Sequence, residues 1–278
     1  MSDPKHPFAS DLRTVGGCLF DLDGTLYQAD HLIDGAAETL QRLRDADVPY
    51  RFVTNTTRKP RAEVVAHLLS LGIEAQEDEC LTAPVAAAAW LKAHGARRIL
   101  PLLHSPTWKD LGDLEIDGEN PEFVVVGDLG EDWTFQVLDD AFRALMQGAE
   151  LVAIQKNRYW RRGDHLSLDA GAFVAALEYS SGKKAQLVGK PSADFFHTAA
   201  TLLGLPPNQV VMIGDDLQGD VEGARLAGLR GVAVRTGKYR PEDEEEARRI
   251  GDAVIDSVAD LVLELRESSE APGPARPA

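Results

Sequence analysis

The sequence contains 278 residues, 44% of them hydrophobic, and carries a formal net charge of −16 at pH 7. This length and apolar content are sufficient for a substantial core in one large domain or two modest ones. The negative charge excludes a general binder of nucleic acids or anionic membranes, because most of the surface would repel a phosphate backbone. A small anionic substrate in a local positive pocket is still compatible with it.

The cysteines and the apolar runs indicate the cellular compartment. Cys18 and Cys80 are far apart in sequence and show no disulfide or metal-site spacing, as is typical of a reducing compartment. The first segment, MSDPKHPFAS, lacks an apolar region of signal-peptide length, and no apolar run approaches the ~20 residues of a membrane span. We therefore expect a cytoplasmic protein.

Short apolar runs typical of β-strands alternate with helical segments along the chain. Four of the runs, GGCLF, YRFVT, AQLVG and VVMIG, end at a polar or charged residue. Helical segments at 35–47, 192–204 and 219–228 follow or separate them. The alternation predicts an α/β protein with a parallel sheet covered by helices on both faces. Ligands bind at the carboxyl ends of strands in such sheets, so the polar residues there predict a site.

A second α/β unit is predicted between the second and third polar strand ends. Residues 79–184 contain helical patterns that alternate with strands such as EFVVV and LVAIQ. We therefore predict a core formed by 1–78 and 185–266, with 79–184 as an inserted domain. Residues 267–278 are rich in proline, alanine and serine and are predicted to be a disordered tail.

The residues after the first apolar run fit an aspartate nucleophile that attacks a phosphate ester. Asp21 would be the nucleophile and Asp23 the acid/base, since Leu22 sets both carboxylates on the same side of the extended segment. Gly24 permits a tight turn, and an ordinary Asp-x-Asp-Gly turn is the alternative interpretation. A carboxylate and a phosphate dianion repel, so this chemistry needs a divalent cation, for which magnesium is suited.

The other strand ends supply the remaining groups. Thr54 and Asn55 offer a hydroxyl and an amide to phosphoryl oxygens, and Lys190 offers a positive charge to the nucleophile and the phosphate. Asp215 would complete the metal shell. Asp220 is expected to orient Lys190 or a metal-bound water.

Two further features have more than one interpretation. Asp216 either touches the metal site or caps the helix that begins near Gly219, and a supporting role is favoured. The basic segment NRYWRR is either a collar for a substrate phosphate or an exposed hairpin turn. In the first case Arg158, Tyr159 and Arg161 are candidates for contact with the substrate.

The segments DLDGTL, TNTT, VGKP and GDDLQGDV occur in this order and resemble the four motifs of the haloacid dehalogenase superfamily. The insertion after the second motif resembles the α/β cap of its p-nitrophenylphosphatase-like branch. The resemblance implies a Rossmann-like, doubly wound parallel core sheet with a smaller α/β cap. It also implies a magnesium-dependent phosphatase with an aspartyl-phosphate intermediate, acting on a small phosphorylated metabolite, a phosphoamino acid or pyrophosphate.

The same resemblance implies roles for individual residues. A magnesium ion would be held by Asp21, the main-chain carbonyl of Asp23 and Asp215, with Gly24 and Thr25 in supporting positions. The cap would help to choose the substrate and would carry a homodimer contact.

The cap sequence departs from its relatives at one point. Related caps often have an Asn-x-Asp pattern, of which this chain keeps Asn157 but has Tyr159 in place of the acidic residue. We therefore count Asn157 among the substrate-binding candidates. The sugar-phosphate and cofactor phosphatases of the same branch are a poor guide to the substrate of this chain.

Two other functions use similar residues. A response-regulator receiver also has an acidic pair, a phosphorylatable aspartate, a threonine and a lysine at strand ends, and is the main alternative. However, a receiver has no inserted domain that interrupts its sheet. Carbon–halogen hydrolysis within the same superfamily generally lacks an acid at position 23, so Asp23 disfavours it.

Overall fold

The structure, a computed structural model, describes residues 15–162 and 165–261, and within this part the side chains of residues 160–162 are not described. The tail predicted at 267–278 lies outside the described residues. Across the two described ranges, no helix combines the length and the apolar composition that crossing a bilayer requires.

The secondary structure alternates between strands and helices as expected. The strands are β1 (Gly17–Phe20), β2 (Tyr27–Gln28), β3 (His31–Leu32), β4 (Tyr50–Thr54), β5 (Cys80–Thr82), β6 (Arg98–Leu102), β7 (Glu115–Ile116), β8 (Phe123–Val126), β9 (Glu150–Ala153), β10 (Tyr159–Arg162), β11 (His165–Leu168), β12 (Gln186–Leu187), β13 (Val210–Gly214), β14 (Arg230–Val234) and β15 (Ala253–Ile255). The α-helices are α1 (Ala36–Asp45), α2 (Arg61–Ser70), α3 (Ala83–Ala93), α4 (Phe135–Met146), α5 (Ala170–Ser181), α6 (Ala193–Leu203), α7 (Gly223–Leu226) and α8 (Glu244–Ile250).

The larger sheet has the strand order β15-β14-β13-β1-β4-β5, and all of its neighbouring strands are parallel. From the central strand β1 the chain continues to β4 on one side, whereas β13 and the later strands lie on the other side. The strand order therefore reverses between β1 and β13, which is where open parallel sheets bind ligands. This sheet confirms the expected Rossmann-like α/β fold.

Side-chain alternation along β1 divides the core of the larger sheet into two layers. Leu19 and Phe20 are both fully buried, but Leu19 clusters with Phe195 and Phe196 of α6, whereas Phe20 clusters with Leu40 of α1. Successive strand residues point to opposite faces, so a strand covered by helices on both sides needs apolar residues at every position. This two-sided burial explains the uninterrupted apolar run before Asp21.

The smaller sheet, β12-β9-β8-β6-β7, is also parallel and comes from the middle of the chain. Helix α3 contributes to the cores of both sheets. Ala86 belongs to a hydrophobic cluster of the larger sheet, whereas Ala87 and Leu91 belong to a cluster of the smaller one. The remaining strands of the described residues form two antiparallel pairs, β2-β3 and β10-β11.

Two short strands lie in a different sheet from the one that the sequence pattern predicts. Strand β5 falls within 79–184 but pairs with β4 in the larger sheet. Strand β12 pairs with β9 in the smaller sheet, so the run AQLVG does not supply a strand of the larger one. Both are short edge strands, whose pairing depends on tertiary contacts more than on their own pattern. The division into a core and an inserted domain stays a prediction.

Candidate active site

The floor of the site is a buried lysine between two carboxylates. Asp21 directly follows β1, and its backbone N–H donates to the carbonyl of Ile213 in β13 at 2.9 Å. Lys190 Nζ lies 2.5 Å from Asp21 Oδ1 and 2.6 Å from Asp220 Oδ1, and all three side chains are buried. Burial alone would lower the pKa of Lys190, but the two carboxylates raise it above its ordinary value. Lys190 is therefore a fixed positive charge against the predicted nucleophile.

Asn55 positions this lysine through its backbone. The Asn55 side-chain Nδ2 donates to the carbonyl of Lys190, and the N–H of Lys190 donates to Asn55 Oδ1, at 2.8 Å in both cases. The sequence pattern predicts that the Asn55 amide binds phosphoryl oxygens. In the structure, the oxygen and one N–H of this amide form hydrogen bonds with the backbone of Lys190. The amide therefore acts first on the position of Lys190.

Asp215 lies against two glycines. Its Oδ2 accepts a hydrogen bond from the N–H of Lys238 at 2.6 Å. Gly24 and Gly237 have φ angles of 93° and 64°, and a Cβ atom on either one would overlap Asp215 Oδ2. The hydroxyl of Thr236 donates to the carbonyl of Gly24 at 2.5 Å and so joins the two glycine segments. The absence of a side chain at Gly24 therefore allows Asp215 to lie close to the backbone, in addition to permitting the expected turn.

The acidic residues of the floor fit a hard divalent cation. Oxygens of Asp21, Asp215 and Asp220 lie within 4.8 Å of one another. Asp215 Oδ1 is buried with no hydrogen-bond donor, whereas the oxygens of Asp220 accept from Lys190 Nζ and from the N–H of Asp216 at 3.2 Å. Burial, together with the charge of Asp21, raises the pKa of Asp215 to about 7. A buried carboxylate oxygen without a donor is the type of ligand that magnesium takes.

Asp23 differs from Asp21 in its exposure. Leu22 between them is buried, and both aspartates line the same crevice, but Asp23 is exposed. The N–H of Gly24 donates to the carbonyl of Tyr27 at 2.7 Å and closes the turn that carries Asp23. Asp21 and Asp23 therefore line one crevice, and the acid/base role of Asp23 stays a prediction.

Of the remaining predicted core residues, the side chains of Asp216 and Thr54 form local hydrogen bonds, whereas that of Thr25 does not within the described part of the chain. Asp216 caps the turn Leu217–Glu222 through the N–H of Gly219, 2.8 Å from Oδ1, and its Oδ2 accepts from Lys238 Nζ at 2.9 Å. Thr54 Oγ1 accepts from the N–H of Thr56 at 3.2 Å. Thr25 is buried, and its hydroxyl has no hydrogen-bond partner among the described residues.

A crevice of about 750 Å³ opens above this floor, and residues of both sheets line it. The smaller sheet and its loops contribute Asp128, Gln155, Asn157 and Asp169. Asn157 is therefore brought to the site as predicted.

The other candidates from the segment NRYWRR are not brought to the crevice. Among the described residues, neither Arg158 nor Tyr159 lines it, and Tyr159 is 54% exposed at the start of the β10-β11 hairpin. Tyr159 begins strand β10 of the hairpin and Arg158 directly precedes it, and contact of either residue with a substrate stays a prediction. The side chain of Arg161 lies outside the described residues.

Several residues of the crevice are missed by the sequence pattern. Gln155 Nε2 donates to Asp169 Oδ1, which also accepts from the N–H of Ala170 at 2.7 Å and so caps α5. The N–H of Asn157 donates to Gln155 Oε1 at 2.7 Å. Gln155 comes shortly after the end of β9, just as Asp21 and Asp215 follow their own strands. The same strand-end pattern could therefore have identified Gln155 from the sequence. The loop around Lys238 has no comparable signal.

Comparison with protein families identifies relatives along most of the chain. The haloacid dehalogenase-like hydrolase family matches residues 18–117, and the HAD-hydrolase-like family matches residues 187–261. Human phospholysine phosphohistidine inorganic pyrophosphate phosphatase is 40% identical over 263 residues, which cover 92% of this chain and 96% of that protein. Human haloacid dehalogenase-like hydrolase domain-containing protein 2 is 42% identical over 234 residues, covering 84% of this chain and 89% of that protein.

Solved structures share the fold over both sheets. The 4-nitrophenylphosphatase of Thermotoga maritima has a TM-score of 0.83 at 30% identity and covers 90% of this chain and 97% of its own. The p-nitrophenyl phosphatase of Archaeoglobus fulgidus has a TM-score of 0.82 at 27% identity and covers 88% of this chain and 97% of its own. The similarity therefore includes the smaller sheet and its position in the chain.

Proposed function

This chain belongs to the haloacid dehalogenase-like hydrolase family, and on this basis we propose that it is a magnesium-dependent phosphatase whose nucleophile is Asp21. Relatives that cover most of the chain are named phosphatases. The observation that carries the proposal is the contact of 2.5 Å between Lys190 Nζ and Asp21 Oδ1 at the buried floor of the crevice. An ion pair that only stabilised the fold would not need to lie in a large crevice beside an unpaired carboxylate oxygen.

In the proposed reaction, an oxygen of Asp21 attacks the phosphorus atom, and the bond between phosphorus and the leaving oxygen breaks. Asp23 gives its proton to the leaving oxygen, and an aspartyl phosphate remains on Asp21. Asp23 then takes a proton from the water that attacks this phosphate, and inorganic phosphate leaves with Asp21 restored. Lys190 is held in place to stabilise negative charge on Asp21 and on the transferred phosphoryl group.

Asp21, the main-chain carbonyl of Asp23 and Asp215 are the proposed ligands of magnesium. When bound, the ion supplies the positive charge that lets an anionic nucleophile approach an anionic phosphate. Asp220 lies close enough to be a ligand, but its hydrogen bonds with Lys190 and Asp216 favour a positioning role. Thr54 is the proposed hydroxyl donor to the phosphoryl oxygens.

The proposed substrate is a small phosphorylated metabolite, a phosphoamino acid or pyrophosphate. The name of the human relative with 40% identity supports the last two classes. The proposal also includes a cytoplasmic location and a homodimer formed through the inserted domain. Nucleic acids and membranes are not proposed as partners, because the net charge is −16.

The test is an assay of p-nitrophenyl phosphate, phospholysine, phosphohistidine, pyrophosphate and sugar phosphates, with magnesium and with a chelator. Turnover that needs magnesium and is lost in Asp21→Asn would support the proposal, since this nearly isosteric change removes the attacking charge. Full activity in chelator would contradict the magnesium requirement. A phosphorylated protein that persists without turnover would favour the receiver-like alternative.

A further inference from the structure

Two positively charged residues on one loop of the crevice are not used by the proposed reaction. Arg58 and Lys59 lie between β4 and α2, are exposed, and line the same crevice as Asp21. Within residues 15–162 and 165–261, Lys59 forms no ion pair. Among the described residues, the only ion pair of Arg58 joins its Nε to Asp128 Oδ2 at 3.6 Å, which is too long for a hydrogen bond. The guanidinium donors of Arg58 are therefore available to a ligand.

The other two lysines that line the crevice, Lys190 and Lys238, already contact carboxylates. Lys190 Nζ contacts Asp21 and Asp220, and Lys238 Nζ contacts Asp216 at 2.9 Å. A single phosphoryl group bound at the floor would leave most of the crevice volume of about 750 Å³ to the rest of the substrate. Since Arg58 and Lys59 line this crevice, they are the cations that remain for the part of the substrate that departs after phosphoryl transfer.

The loop that carries the two cations is held at both ends. The carbonyl of Arg58 accepts a hydrogen bond from His104 Nδ1 at 3.0 Å, and the N–H of Arg61 donates to Asp110 Oδ2 at 2.7 Å. Pro60 between these contacts restricts the backbone further. A loop fixed in this way loses little conformational entropy when a ligand binds, which favours a binding role for its side chains.

Acidic residues also line the crevice. Asp128 is the nearest of them to Arg58, and its Oδ1 already accepts from the N–H of Gly130 at 2.7 Å. Asp23 and Asp30 line the crevice as well. Since Asp128 makes no hydrogen bond to Arg58, a carboxylate or phosphate that reached the guanidinium would form contacts that the resting protein lacks.

We propose that Arg58 and Lys59 form a second anion-binding subsite, which selects phosphate esters whose leaving group carries a carboxylate or a second phosphate. This subsite rests on the proposed function, because it assumes that the phosphoryl group binds at Asp21 and Lys190. It assigns the specificity of the enzyme in part to a loop after β4, and not to the inserted domain alone.

The test measures binding separately from turnover. Phosphonates of increasing chain length, each ending in a carboxylate, a phosphonate or an uncharged carboxamide, are titrated calorimetrically into the unmutated protein with magnesium. The double variant Arg58→Gln/Lys59→Gln and the charge-conserving Arg58→Lys are titrated in parallel. Lys109→Gln is the matched control, because Lys109 is exposed but does not line the crevice.

We expect one chain length at which an anionic terminus binds at least about tenfold tighter than the carboxamide, the effect of one charge-assisted hydrogen bond. The double variant should lose this preference, whereas Arg58→Lys should keep part of it and Lys109→Gln all of it. The carboxylate and phosphonate series distinguish the two kinds of anion. Equal binding of anion and amide at every length, or a preference that survives in the double variant, would overturn the subsite.

Hydrolysis of the corresponding phosphate esters separates this proposal from the proposed function. If no ester is turned over, the phosphatase assignment fails, and the phosphonate titrations still decide whether the subsite exists. If all esters are turned over with the same kcat/KM, the phosphatase assignment holds and the subsite fails. Thermal unfolding of each variant shows whether a loss of binding reflects a loss of fold.

Discussion

The side chain of Asn55 and the backbone of Lys190 form two reciprocal hydrogen bonds, each 2.8 Å long. Asn55 follows β4 of the larger sheet, whereas Lys190 follows β12 of the smaller one. The two bonds therefore join the two sheets at the floor of the crevice. They also place the positive charge of Lys190, because Nζ of the same residue contacts Asp21 and Asp220.

Asn55→Ala should lower kcat for p-nitrophenyl phosphate by about tenfold to 10²-fold, since small misplacements of a catalytic group have costs of this size. The reason is that Lys190 loses both bonds that orient its backbone. Asn120→Ala, a change of an exposed asparagine that does not line the crevice, should leave kcat unchanged. An unaltered kcat in Asn55→Ala would mean that the buried carboxylates alone position the lysine.

Lys190→Ala should lower kcat by about 10²-fold or more, because it removes a preorganised charge beside the transferred phosphoryl group. It also leaves two buried carboxylates without their shared partner. Steady-state kinetics at saturating magnesium measure the effect. A loss of only a few-fold would assign Lys190 to stabilisation of the fold and remove it from the reaction.

Gly24→Ala and Gly237→Ala should both impair magnesium binding, because a Cβ atom at either position overlaps Asp215 Oδ2. Gly72→Ala is the matched control: Gly72 also has a positive φ, 86°, but a Cβ atom there meets no atom within 4 Å. All three variants should lose about 1 kcal/mol of stability from backbone strain. Calorimetric titration with magnesium should then separate the first two from the control.

The stability of the metal-free protein should depend on the titration of Asp215. Its pKa is raised from 3.8 to about 7, so the folded state keeps a proton that the unfolded chain releases between these values. This contribution to the free energy of unfolding is full below pH 3.8 and is lost as the pH rises through about 7. Asp215→Asn should remove it.

Denaturant unfolding in chelator at about pH 5 and about pH 8 measures this effect as the difference between the unmutated protein and the variant. Added magnesium should have the opposite trend and stabilise the unmutated protein more at the higher pH, because its ligands must be deprotonated. The same pH dependence in both proteins without metal would show that Asp215 is ionised throughout.

Asp23→Asn should separate the two steps of the reaction. p-Nitrophenolate departs without being protonated, so this ester should give a burst near one equivalent per active site, followed by slow turnover. An alkyl phosphate needs the acid in the first step and should give neither burst nor appreciable turnover. Quench-flow kinetics with both esters measure this difference, and wild-type-like hydrolysis of the alkyl ester would remove Asp23 from the acid/base role.

Much of the site could be predicted because its residues follow buried strands. Asp21, Thr54 and Asp215 are each preceded by an apolar run, and the three runs form neighbouring strands of one parallel sheet. Lys190 also lies at the site, although the run before it belongs to the other sheet. Parallel strands that end on one edge bring their following residues together, so the local pattern was sufficient for Asp21, Thr54 and Asp215 but not for Lys190, which follows a strand of the other sheet.

The walls of the crevice could not be predicted in the same way. Lys238 reaches Asp215 and Asp216 from a loop whose path is set by tertiary contacts, such as the bond of Thr236 to Gly24. The basic character of NRYWRR suggested an anion site, but exposed hairpins also carry charged residues for solubility. Position relative to the crevice, which local sequence does not encode, separates the two cases.

Helix α3 limits how freely the two halves of this architecture can be recombined. Ala86 packs in the hydrophobic layer that contains Val53 and Leu81, and Leu91, five residues later, packs with Ile99 and Val125. A chimera that exchanged the chain from residue 79 onward between homologues would therefore separate Ala86 of α3 from Val53 of the larger sheet. A crossover beyond α3 would instead separate Leu91 from Ile99 and Val125, so exchange at either end of the helix requires compensating substitutions in its packing partners.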